Sequence, residues 1–281
     1  VIDYKYHVTA LVAIFLALGI GILIGSMIIG DEFVGNQQKL LIDRLEIDFQ
    51  QMRVQNGLTK GQLAAANETM EIYQKFCQQI MPVLIQDKLQ SYRVVVVQTN
   101  SSCNLNDIIN PLKISGAEIE AVISVLNDFS LAKVTADSLS PAHDQGSQLM
   151  KMMGESILFG DDQGTISDLV KKKMIKISGT TGEPVDAVIL AGGSQTNLGE
   201  QAKWLDLALS DYILENEVMV VGVEASTAAY SYMPYYQSKP MVTIDNIESI
   251  PGQISLVYSI LGEKGNFGIK KTAKKLMPDL W

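Results

Sequence analysis

The sequence predicts an α/β protein in three parts: a single N-terminal transmembrane helix, a long dimeric coiled-coil helix, and a doubly wound, mainly parallel α/β domain. Three observations predict it. The 23 residues from Val8 to Gly30 carry no charged side chain. A seven-residue apolar repeat runs from Ile42 to Leu84. From Tyr92 onward, short all-apolar runs alternate with helix-like stretches. The expected boundaries are 1–30 for a short tail and anchor, 31–91 for the stalk, 92–262 for the α/β domain and 263–281 for a basic C-terminal tail.

At about 1.5 Å per residue, Val8–Gly30 covers the roughly 30 Å hydrocarbon core of a bilayer. Tyr4 and Tyr6 precede it, where amphipathic rings favour the headgroup zone, and Asp31 and Glu32 end it. A cleaved signal peptide has a shorter apolar core, about 7–15 residues, and an A-x-A-like site. This run is longer and lacks that site, so an uncleaved anchor is expected. Ala13, Ala17, Gly21 and Gly25 recur every four positions, and Gly21 to Gly25 is a GxxxG. Small residues let helix backbones approach closely in lipid, although Gly and Ala are frequent in any transmembrane helix.

The stalk carries the same expectation of self-association. With Ile42 at heptad position a, the a series is Ile42, Phe49, Asn56, Leu63, Met70, Cys77 and Leu84. The d series is Leu45, Met52, Thr59, Ala66, Tyr73 and Ile80. A repeat held this long implies helices wound around each other, and a lone Asn at position a favours a parallel, in-register pair. Gly57 and Gly61 each cost about 1 kcal/mol relative to Ala, which makes Asn56–Gly61 a soft joint or the bend of a helical hairpin. Pro82 is expected to kink or end the helix. From Ile42 to Leu84 the helix spans roughly 60 Å. Cys77 would face its own copy across a parallel seam, where an oxidising exterior permits a disulfide, but it also suits a small core position.

Within the domain, Arg93–Thr99 reads as a strand buried on both faces. A helix over about Asp107–Ile114 follows, with Asn106 or Asp107 as N-cap. Ile119–Val125, Val185–Ala191, Val218–Val223 and Met241–Ile244 are further strands, with helices at about Leu198–Asn216 and Gly252–Leu261. This alternation is the signature of a doubly wound sheet. Leu131–Lys176 reads as a helical insertion.

These pieces resemble a known family. The run YHVTALVAIFLALGIGILIG from Tyr6 to Gly25 is similar to the N-terminal signature of the bacterial MctB family, named for copper transport. The stretch IDNIESIPGQISLVYSILG from Ile244 to Gly262 resembles its Asp-Asn-x5-Gly-x3-Leu-x3-Leu motif. Gly265–Lys270 and Leu276–Pro278 resemble its closing motif. The resemblance implies an anchor, a coiled coil and an α/β domain. It also implies SteB-like roles in envelope assembly and division, beside a SteA-like membrane partner and a peptidoglycan hydrolase. The Lys/Arg tally around the anchor does not settle orientation. The resemblance favours a short cytoplasmic tail with everything after Asp31 outside.

Chemistry narrows the function classes. The net charge of −9 argues against a nucleic-acid partner. Only His7 and His143 are present, which nearly excludes a His-based triad or a zinc site. Copper(I) prefers Met and Cys, and the best cluster is Met150, Met152 and Met153 with His143 nearby. The same pattern suits a Met-rich helix filling its own core, which is the favoured reading. Copper as a cofactor is therefore implied by the family name alone. Gly192-Gly193-Ser194 follows a strand where α/β folds hold phosphates, yet it lacks a G-x-G-x-x-G or Walker pattern. A turn needing positive φ would explain both glycines. Glu224 and Ser226 stand at the carboxyl edge with no His or second carboxylate nearby in sequence, and so form no acid–base pair. Lys270, Lys271, Lys274 and Lys275 form a basic patch for anionic lipid or wall polymer, or a solvated face. Cys103, in the turn after the first strand, is expected to pack. The expected function is a non-enzymatic, membrane-anchored homodimer that binds envelope or division proteins. The alternatives are a copper-handling component and a small-ligand-binding α/β domain.

Overall fold

The computed structural model describes residues 4–100, 102–126, 142–197 and 205–280. It divides into two units, 1–73 and 74–281. One helix, α1, runs from Tyr4 to Ile85. Its segment Tyr4–Met27 has a mean hydropathy of 2.7 and is long and apolar enough to cross a membrane. The helix continues through Gly57 and Gly61, so it does not fold back there as a hairpin, and it passes Pro82 before ending three residues later. The two glycines weaken local propensity, but about twenty-one flanking turns of unbroken helix override that cost.

The second unit is built on a seven-stranded sheet. In chain order it contains β1 (Arg93–Gln98), α2 (Asn106–Ile114), β2 (Glu118–Val125), α3 (Ala142–Phe159), α4 (Thr165–Lys171), β3 (Ile175–Gly179) and β4 (Ala187–Ala191). Then come α5 (Leu207–Glu215), β5 (Met219–Val223), α6 (Met233–Tyr236), β6 (Val242–Ile244), α7 (Ile250–Ile260) and β7 (Asn266–Phe267). The sheet order is β3-β2-β1-β4-β5-β6-β7, parallel except for β3, which pairs antiparallel with β2. The sheet is open, with β3 and β7 at its edges.

Alternation along each strand feeds two cores. Val95 and Val97 of β1 pack with Val188, Leu190 and Val220 against α3, α4, α5 and α6. Val94 and Val96 pack with Ile189, Val221 and Ile244 against α2, α7 and the last turn of α1. Both faces are covered, which is why the central strands read as unbroken apolar runs.

Four expectations are corrected. The described part of the stretch 131–176 is not an insertion: α3 and α4 share one layer of the sandwich with α5 and α6, and the chain after α4 makes the antiparallel edge strand β3. Residues 127–141 lie outside the described residues. The closing segment is not a free tail, because β7 pairs in parallel with β6 and Phe267 enters the core. The N-cap of α2 is Leu105, while Asn104 Oδ1 accepts from the Asn106 amide. Leu84 is not a seam residue, because it packs on the domain core and its carbonyl accepts from the Tyr258 hydroxyl. The first part of the helix expected at 198–216 also lies outside the described residues.

Candidate functional site

The strand order reverses between β1 and β4, and in open α/β sheets ligands bind outside the carboxyl ends of the strands at such a point. Gly192-Gly193-Ser194 emerges from β4 at this position. Thr99 follows β1, Glu224 follows β5, and Asp245-Asn246 follows β6. The sequence thus placed the turn correctly but missed what surrounds it.

Tyr236 fills the crevice. A Cβ on Gly192 would lie 2.0 Å from the Tyr236 hydroxyl oxygen, and one on Gly222 would lie 2.4 Å from its ring. Only Gly193 takes a positive φ, of 79°, so the two glycines have different reasons. Gly193 turns the chain, and Gly192 makes room for a tyrosine. Three amides of the turn are engaged within the protein. Gly192 N donates to Val223 O at 2.9 Å, Ser194 N to Tyr230 O at 3.0 Å, and Thr196 N to Ser194 Oγ at 3.1 Å.

Beneath Tyr236 lies Asp206, fully buried. Its Oδ2 accepts from the Tyr236 and Thr99 hydroxyls, while Oδ1 has no partner among the described residues. Burial pushes this carboxyl up to about 7, against the lowering effect of the two hydroxyl donors. Burial and the neighbouring Asp206 raise the Tyr236 phenol well above its ordinary value. Tyr232, 6.3 Å away in an edge-on contact, is pushed up to about 12 by burial, with Asp206 adding to it.

The sign of the pH dependence follows. Asp206 holds its proton more tightly folded than unfolded, where its value is about 3.9. Its contribution is fully present below about pH 4 and is lost as pH rises through about 7. Asp206→Asn is expected to flatten the stability profile across that window, removing a slope worth on the order of a few kcal/mol. Denaturant titrations of both proteins at pH 4.5, 6 and 8 check this; parallel profiles would refute it.

A second cluster joins the two C-terminal sequence motifs. Glu224 is fully buried. Its Oε1 accepts from Lys270 Nζ at 2.7 Å and from Ser231 Oγ, and its Oε2 from Tyr232 N at 2.8 Å. Asp245, also buried, accepts from the Ile269 amide at 2.7 Å and from the Lys270 amide. Gly268, at φ 134°, leaves space for that carboxylate, since a Cβ there would sit 2.0 Å from Asp245 Oδ1. Lys270 is therefore an internal clasp and not part of a free basic patch. Lys275 pairs with Asp279.

The edge does bring a carboxylate to Ser226. Its amide and hydroxyl donate to Glu248, whose charge, after burial, raises Asp107 as well. Cys103 is 3% exposed, and its Sγ donates to Gly192 O at 3.6 Å. Burial pushes that thiol up to about 12, with the Glu224, Glu248 and Asp107 carboxylates adding to it. Such a thiol is a packed hydrophobe, not a thiolate ligand.

Met150 and Met153 are fully buried between the sheet and the helices, and Met152 is half-buried. The His143 side chain lies outside the described residues. No group of three or more His, Cys, Asp or Glu suited to a metal occurs among the described residues. On α1, Ala13, Ala17 and Gly21 are exposed and Gly25 is half-buried. The residues expected at a seam, Ile42, Leu45, Phe49, Met52, Leu63, Met70 and Tyr73, are 54–65% exposed. Asn56 is exposed too, Cys77 is half-buried, and Ile80 is 37% exposed.

The family model described as "Copper transport outer membrane protein, MctB" matches residues 1–278. Proteins named "Copper transporter MctB" from Mycobacterium bovis and from two strains of Mycobacterium tuberculosis are each 23% identical to this chain. Each alignment covers 95% of this chain and 96% of the relative.

Proposed function

Because the chain belongs to the MctB family, we propose that it is a non-enzymatic, membrane-anchored envelope scaffold. It dimerises through α1 and presents its α/β domain outside the cytoplasm to envelope or division proteins. The observation that carries this reading is the uncovered apolar seam. Seven large side chains at a and d positions, each more than half exposed, are untenable on an isolated helix in water. Pairing two copies in parallel covers them, stacks Asn56 on Asn56, and sets Asp48 at g against Arg53 at e of the partner copy.

The non-catalytic part of the proposal rests on the carboxyl edge. Its crevice holds Tyr236, the Gly192, Ser194 and Thr196 amides of its turn bond within the protein, and the buried Glu224 contact with Lys270 fastens a loop. Partners resembling SteA and a peptidoglycan hydrolase follow from the resemblance of the sequence to SteB-like proteins.

Copper handling is the second reading, favoured by the family's description and by the names of the mycobacterial relatives. For this chain it would draw on Met150, Met152, Met153 and His143.

Mild oxidation of membranes containing the full chain tests the scaffold. A dimer linked through Cys77 is expected, lost in Cys77→Ser and retained in Cys103→Ser. Replacing the three methionines by Leu, a swap that cores tolerate at less than about 1.5 kcal/mol each, should leave both cross-linking and envelope phenotype intact. Absence of the Cys77 dimer would sink the scaffold. Loss of copper tolerance in the methionine variant would move the assignment to copper handling.

A further inference from the structure

The two edges of the sheet end differently. At β7 the outer side is closed by the chain's own C-terminal segment. Phe267 bridges in parallel to Lys275, Lys274 N donates to Asn266 O at 2.8 Å, and Gly268 N donates to Lys275 O at 2.9 Å. At β3 no such cover occurs among the described residues. Leu126 N donates to Met174 O and Thr180 N to Glu120 O, both at 2.9 Å, so the ladder bonds to β2 fall on Met174, Lys176, Ser178 and Thr180. In an antiparallel ladder the alternate residues point the other way. Ile175 and Ile177 therefore turn their N–H and C=O groups outward, and these groups meet no hydrogen-bond partner among the described residues.

Charge at this edge has one sign. From Leu169 to Gly182 the chain carries Lys171, Lys172, Lys173 and Lys176, all exposed, and no acid. The acids on either side are engaged. Asp168 pairs with Lys171 at 3.4 Å, and Asp161 accepts from the Ile166 and Ser167 amides at 2.8 Å each. Glu118 and Glu120 of β2, with Glu183, all pair with Arg93. Asp162 precedes the far end of α4, and of the described α3 side chains Lys151 and Glu155 cancel. Lys172, Lys173 and Lys176 form no ion pair among the described residues.

From this we infer that β3 is an addition site for an extended, acidic strand of another protein. The inference rests on the scaffold reading and names one surface of the domain and the chemistry of the segment it takes. Backbone bonds to Ile175 and Ile177 hold the added strand, and the lysines choose its charge. A second copy of this chain is the poorer occupant, because β3 against β3 sets lysine against lysine, the device by which edge strands avoid their own kind.

The test uses the full chain in zwitterionic lipid nanodiscs. The probes are short synthetic peptides of alternating Val and Thr, one carrying Glu and its twin carrying Lys at the same positions. A third is the Glu peptide N-methylated at its two central residues, which blocks both strand edges and leaves the charge unchanged. The Glu peptide is expected to bind about tenfold more tightly than either of the others. Lys172→Glu together with Lys173→Glu should reverse the preference between the Glu and Lys twins and leave Cys77 cross-linking unchanged. Equal binding of the twins, or binding of neither, overturns the inference. So does undiminished binding of the N-methylated peptide, which would make the edge a site for any polyanion and not for a strand. A preference for Glu that survives in the double variant overturns it as well. Failure of the unmutated chain to cross-link through Cys77 sinks the dimer itself, a result read independently of any peptide.

Discussion

Replacing Leu63 and Met70 together by Asp is expected to convert the detergent-solubilised protein from dimer to monomer. Both residues occupy consecutive a positions and are 60% and 61% exposed on the single helix. In a parallel pair each would face its own copy, so the double substitution places four carboxylates along two layers of the seam. Burying such charges without partners costs several kcal/mol and sets like charges against each other in each layer. The α/β domain makes its core from residues beyond Gln74 and should keep its own unfolding transition. Sedimentation equilibrium and Cys77 cross-linking read the result. A double variant that stays dimeric would show that the heptads of α1 are not the contact, and would turn attention to the Ala13–Gly25 face.

The long N-terminal helix was legible because one-dimensional patterns mark it, an apolar run over Tyr4–Met27 and a period-seven apolar repeat after it. The strands β1, β4 and β5 were legible for a related reason: burial on both faces removes every polar residue from Val94–Val97, Ala187–Ala191 and Val220–Val223. β3 was hidden because an edge strand alternates, and Ile175-Lys176-Ile177-Ser178 carries no continuous apolar signal. β7 was hidden because two residues make no pattern at all. The site was legible only as an address. Gly192–Ser194 stood out by composition, but Asp206 lies in a helical stretch where a lone acid reads as solvent-facing. Its contact with Thr99, 107 positions away, exists only in the folded sheet. Lys270 was misread for the same reason, since a run of four lysines gives no sign that one of them reaches a buried glutamate.

The Asp-Asn-x5-Gly motif, by contrast, carries a physical reason that the structure makes explicit, and Gly252→Ala is expected to destabilise the α/β domain strongly. Gly252 is the third residue of α7, where its amide donates to the N-cap Ser249 Oγ at 3.2 Å. A Cβ there would lie 2.1 Å from the carbonyl oxygen of Asn246 and 2.7 Å from its carbon. Those are backbone atoms, so no rotamer change relieves the overlap, and the first turn of α7 must move off the end of β6. That turn is held on both sides. Ile254, Leu256, Val257 and Ile260 pack into the core on the α7 face of the sheet. On the strand side, Asp245, next to Asn246, clamps the Ile269 and Lys270 amides. Overpacking in cores typically costs 1–3 kcal/mol, and a clash with fixed backbone belongs at or above about 3 kcal/mol. For a domain of this size that lowers the melting temperature by about 6–12 °C. Gly57→Ala is the control, because an added Cβ there meets nothing within 4 Å and favours helix by about 1 kcal/mol. Near-UV circular dichroism melts of the α/β domain in the full chain should therefore shift down for Gly252→Ala and stay in place for Gly57→Ala. A Gly252→Ala melt within a degree or two of the parent would mean that α7 slides freely on β6 and that the glycine is not there to admit the Asn246 carbonyl.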